Sequence, residues 1–139
     1  MPNPRIQNTL TKRVQETAKD FDCQPSIAFI IFCLQNIYGL DELEAEESIT
    51  DGGSDKGIDA IFTQVDDIGN NILYIVQSKY FTQNPNNSLD ETAKTLMVET
   101  IRNYVLGDAP TNVLNSRLRP RIESARYSFQ SGEIDKIKI

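Results

Sequence analysis

The sequence predicts an α+β fold, a mixed sheet with helices packed around it. Two strand-like runs, Ile58 to Thr63 and Ile72 to Tyr80, flank a turn at Asp67 to Asn71 with Gly69-Asn70 at its tip. Helical periodicity precedes and follows that hairpin. A last alternating run, Ile134-Asp-Lys-Ile-Lys-Ile139, reads as one more strand, which must cross back over helices to reach the hairpin.

The elements follow in order. Asn8 suits the N-cap of a helix to about Lys19, with Leu10, Val14, Ala18 and Phe21 on one face. Pro25 opens a second helix where proline is tolerated. Its body, Ile27 to Leu34, is apolar on nearly all sides and so belongs in a core, and Tyr38-Gly39 ends it. Asp41 with Glu44 fits a capping box that opens a short acidic helix to about Ser48. Asp51-Gly52-Gly53 forces a turn before the hairpin, and Pro85 to Ser88 forms a loop after it. Asp90 to Leu106 is a long amphipathic helix stopped by Gly107. Asn112 to Leu118 and Pro120 to Gln130 read as helical, kinked or broken at Pro120.

At 139 residues the chain is expected to form one domain, residues 1–139, with a real core. It ends inside a strand, and we expect an N-terminal fragment of a longer protein. With no histidine, histidine-based zinc sites, histidine general bases and Ser-His-Asp triads are excluded. Cys23 and Cys33 lie in apolar helical sequence and read as reduced core thiols of a cytoplasmic protein. The start lacks an apolar signal core, and the longest apolar stretch is too short to span a bilayer, so no membrane partner is expected. Fourteen basic and 20 acidic side chains give a net charge of −6, which by itself argues against nucleic acid. The distribution qualifies that. Gly39 to Asn70 holds ten acids and one base, leaving the rest at +3, and so gathers acids where a divalent cation would need them.

Asp59 stands inside an apolar run, and Gln77 and Lys79 are two apart in another. Charged groups in a core-forming hairpin are costly unless compensated. Gln77 and Lys79 share a strand face by alternation, and pairing through the 67–71 turn brings Asp59 level with Gln77 to Lys79. Asp59 offers a hard anionic oxygen for Mg2+ or Mn2+, Gln77 a neutral amide oxygen, and Lys79 a group that orients or deprotonates water and neutralises a phosphate. A second acid is needed. Glu47 is the first choice, and Glu42, Glu44 and Glu46 are its alternatives. The blander alternatives are an edge-strand acid at Asp59 and a solvated strand face at Gln77 and Lys79. Asp51 and Asp55 suit turn formation. Arg117, Arg119, Arg121 and Arg126 are candidate contacts to a nucleic-acid backbone. No GxxxxGK[ST] pattern occurs, so a phosphate loop for nucleotide is not expected.

Gly57-Ile58-Asp59, the hairpin, and Gln77-Ser78-Lys79 resemble the PD-(D/E)xK nuclease core in its Mrr-type form, in which glutamine replaces an acid. Glu46 to Asp59 with Ile75 to Tyr80 more narrowly resembles the N-terminal part of abortive-infection phage-resistance (AIPR) proteins. The likeness is strongest over residues 46–81. It implies a restriction-endonuclease-like αβββαβ core with extra N-terminal helices. It also implies an Mg2+- or Mn2+-dependent endonuclease that hydrolyses DNA phosphodiester bonds in phage defence or restriction. Asp59, Gln77 and Lys79 match the motif, and a glutamate such as Glu47 completes the site. The same fold also serves non-catalytic nucleic-acid-binding or interaction domains, which is the alternative function. A homodimer is compatible with either.

Overall fold

The computed structural model describes residues 4–50, 57–78 and 91–139. The fold is α+β, with five α-helices and a three-stranded mixed sheet among the described residues, as the hydrophobic patterning predicts. The chain divides into two compact units. Met1–Ile49 with Ser78–Leu89 form one, and Thr50–Gln77 with Asp90–Ile139 form the other. The predicted turn at Asp51-Gly52-Gly53 and loop at Pro85 to Ser88 lie outside the described residues.

The first unit is helical. Helix α1 (Pro4–Phe21) starts one turn before the expected cap at Asn8, with proline in the first turn, where its missing N–H costs no hydrogen bond. Helix α2 (Pro25–Tyr38) packs on α1. Its Ala28, Ile30, Ile31 and Leu34 are buried, as is Val14 of α1. The rest of the apolar run is half-buried, so α2 has one wetter side that composition alone does not reveal. Gly39 ends it with φ +70 and its N–H on the Leu34 carbonyl, a backbone shape that side chains resist. Helix α3 (Glu42–Ser48) begins with the predicted capping box. The Asp41 carboxylate accepts from the Glu44 N–H at 2.8 Å, and the Glu44 carboxylate accepts from the Asp41 N–H at 3.0 Å.

The second unit carries the sheet. Strands β1 (Ala60–Val65) and β2 (Asn71–Val76) pair antiparallel, with Ala60 opposite Val76 and Val65 opposite Asn71. Asp66 holds the turn between them, accepting the N–H groups of Ile68 and Asn70. Strand β3 (Lys136–Lys138) joins β2 in parallel, giving the order β1-β2-β3. Between them run α4 (Glu91–Thr100), a π-helical turn at Ile101–Val105, a short 3-10 turn at Thr111–Val113, and α5 (Leu118–Gln130). Ile58, Ile61, Leu73 and Ile75 pack with Met97, Ile101, Val105, Leu118 and Ile122 into one core, and Ile137 of β3 packs against it.

Pro120 does not break a helix. It falls at the third position of α5, where its missing N–H needs no intrahelical acceptor. The residues ahead of it are not a helix beyond the 3-10 turn, because Asn115 caps α5 there. Its Oδ1 accepts the N–H groups of Arg117 and Leu118. Among the described residues no helix is long and apolar enough to cross a membrane.

Candidate metal centre

The open end of the hairpin holds two of the four predicted site residues. Asp59 lies just ahead of β1, and its N–H donates to the Val76 carbonyl at 2.8 Å. Gln77 lies just past β2, and its Nε2 donates to the Gly57 carbonyl at 3.1 Å. That bond fixes which way the carboxamide is turned, and its Oε1 is buried. Both residues are half-buried.

Their register differs by one from simple extension of the ladder. Ala60 stands opposite Val76, so an unbroken strand would set Asp59 opposite Gln77. The Asp59 N–H instead reaches Val76, which gives two residues of one strand against one of the other. The off-register bond marks the end of the ladder, beyond Ala60 and Val76. It also accounts for the burial of both Ile58 and Ile61 in the same core, since residues three apart on a regular strand face opposite ways. Strict alternation therefore does not extend to Asp59.

A backbone brace, which sequence reasoning missed, holds this segment. Thr50 is fully buried. Its N–H donates to the Asp59 carbonyl at 2.9 Å and its Oγ1 donates to the Ile58 carbonyl at 2.9 Å. Its own carbonyl accepts from Asn115 Nδ2 at 3.0 Å. Asn115 thus links the start of α5 to the strand segment that bears Asp59. A polar side chain three residues ahead of an apolar helical run was the available signal.

Lys79 lies outside the described residues, as do Asp51 and Asp55. Glu47 is exposed on α3 and belongs to the first unit, with Glu42, Glu44 and Glu46 also exposed there. Among the described residues no group of three or more His, Cys, Asp or Glu side chains gathers to hold a metal. Asp59 and Gln77 nonetheless offer the donor types that Mg2+ or Mn2+ takes, a carboxylate oxygen and an amide oxygen, with water able to fill the remaining positions.

The arginines divide by role. Arg126 braces the fold: its Nε donates to the Tyr104 carbonyl at 2.5 Å and Nη2 to the Ala109 carbonyl at 2.7 Å. Arg119 pairs with Glu123 at 3.1 Å. Arg117 is exposed and Arg121 half-buried. Arg126 therefore drops out as a candidate backbone contact, because its guanidinium is spent on carbonyls. Cys23 and Cys33 are free and half-buried rather than deep in a core. Burial pushes both thiols up, with Asp22 and Glu46 adding to the effect at Cys23. No protein family, curated protein or solved structure matches the chain.

Proposed function

We propose that this chain is a divalent-metal-dependent endonuclease domain of the PD-(D/E)xK type in its QxK form, hydrolysing DNA phosphodiester bonds in phage defence or restriction. The observation that carries the proposal is the placement of Asp59 and Gln77 on neighbouring strand ends at one end of the hairpin, joined by the Asp59–Val76 and Gln77–Gly57 hydrogen bonds.

In this reading Asp59 and Gln77 Oε1 would hold Mg2+ or Mn2+, and a further acid would complete the coordination. The bound ion would supply Lewis-acid activation of water and of the scissile phosphate. Lys79 would orient the attacking water, take its proton and offset charge on the phosphate. Thr50 and Asn115 would act as positioning residues, holding the backbone on which Asp59 stands.

Plasmid cleavage in magnesium tests this. Lys79→Ala should slow cleavage by about 10²–10⁴-fold, as loss of a general base does. Asp59→Asn should abolish the heat of manganese binding in calorimetry. A Lys79→Ala variant as fast as the unaltered chain would overturn the proposal. DNA binding without metal binding or cleavage would favour the non-catalytic alternative.

A further inference from the structure

Charge in the helical unit is sorted by helix. Helix α1 carries Arg5, Lys12, Arg13 and Lys19 against Glu16 and Asp20, and α2 carries no charge at all. Helix α3 with its cap holds five acids and no base. Between α1 and α2 lies a groove of about 480 Å3, lined by Arg5, Thr9, Leu10, Arg13, Phe32 and Asn36. Among the described residues its charged lining is Arg5 and Arg13, with Leu10 and Phe32 as apolar lining. On α3, Leu43 is 64% exposed, a large apolar side chain left in water. Glu46 follows it at i+3, a position that shares its side of a helix, and Glu42 stands one turn before Glu46.

We propose that the unit pairs with a second copy of itself, the Leu43 side of α3 in one chain seating in the α1/α2 groove of the other. The two surfaces complement each other in both respects: leucine meets a floor of leucine and phenylalanine, and glutamates meet arginines. Arginine suits this role because its planar fork grips a carboxylate with two parallel N–H bonds. Arg5 and Arg13 stand about 12 Å apart along α1, within reach of carboxylates one helical turn apart. With a two-fold axis between the copies the contact is made twice, so the proposed assembly is a closed dimer rather than a filament. A nucleic-acid strand would match the charge of the arginines but leave the exposure of Leu43 unexplained.

Sedimentation velocity on the full chain tests this. The unaltered protein should dimerise with rising concentration, and the dimer should weaken about tenfold between about 50 and 500 mM salt as its ion pairs are screened. Arg5→Glu with Arg13→Glu should be monomeric alone, and so should Glu42→Lys with Glu46→Lys. Glu47, the second acid that the sequence favours, is left unaltered. An equimolar mixture of the two variants should recover the dimer, since the mixed pair restores opposite charge at both contacts, which misfolded chains could not do. Leu43→Ser, an exposed change that keeps every charge, should also give monomer. A dimer that survives Leu43→Ser would overturn the proposal, as would an unaltered chain that stays monomeric at every concentration. Loss of oligonucleotide binding by the arginine variant of a monomeric protein would assign the groove to nucleic acid instead.

Discussion

Arg126 shows how a single residue can read one way in sequence and another in three dimensions. In the chain it is one of four clustered arginines, which invites a nucleic-acid role. In the fold it satisfies the Tyr104 and Ala109 carbonyls where the helix ending at Val105 gives out. Hydrogen bonds from a charged donor are worth about 1.5–3 kcal/mol each, and buried carbonyls left unmade cost more than a surface ion pair. Arg126→Ala should therefore lower stability by about 2–3 kcal/mol in urea denaturation, while Arg117→Ala, exposed, should stay within about 0.5 kcal/mol. Asp66 gives a second prediction at this scale. The Asn70 N–H, joined by that of Ile68 and the Asn70 side chain, holds its carboxyl below the usual range. A folded value below the unfolded one means a stabilising contribution that is whole above the ordinary carboxylate range and fades as pH falls through it. Glu123 behaves alike, held down first by the Thr111 hydroxyl and then by Arg119. Thermal unfolding followed from neutral to acid pH should show stability falling, and Asp66→Asn should flatten that slope.

At the scale of elements, local signals decided what could be read. The α3 capping box, the end of α2 at Gly39 and the first-turn proline of α2 depend only on residues within one turn, and each stands where the sequence puts it. Asp41→Ala should cost about 1 kcal/mol, the usual worth of an N-cap, seen as a lower urea midpoint. Gly107 is set by a close approach instead: a Cβ there would meet the Asn103 carbonyl at 2.7 Å. Gly107→Ala must push the backbone apart and should destabilise, although alanine is the better helix former elsewhere. Pro120 misled because a proline inside a helical pattern and a proline in a first turn look alike until the cap is known. The offset at Asp59 was illegible for a related reason. Alternation fixes faces only while the ladder keeps its register, and the offset is visible only in which carbonyl the Asp59 N–H chooses.

For the molecule as a whole, the hairpin, the helices and a last strand crossing back to the hairpin were legible, but not which strand it joins or in which direction, because that pairing lies 64 residues away in sequence. Asp135 fastens that strand reciprocally to Asn71, its N–H on the Asn71 carbonyl at 2.9 Å and its Oδ2 on the Asn71 N–H at 2.7 Å. This clamp sets the parallel register, with Leu73 opposite Ile137 and Ile72 opposite Lys136. A slip of one residue would turn Ile137 outward and drive Lys136 into the core against Leu73 and Ile75, where an unpaired ammonium is far costlier than a lost methyl group. The register therefore predicts an asymmetry between neighbours. Ile137→Ala removes partly buried apolar surface from the core and should lower stability by about 1–2 kcal/mol. Lys136→Ala, on the exposed side, should change it by less than about 0.5 kcal/mol. Asp135→Ala should fall between them and, in a double-mutant cycle with Ile137→Ala, should be non-additive, because both act by keeping one short strand in place. Urea denaturation of the unaltered chain and the four variants measures all of this. Equal losses at 136 and 137, or strict additivity with 135, would mean that the last strand does not lie against β2 as the clamp requires.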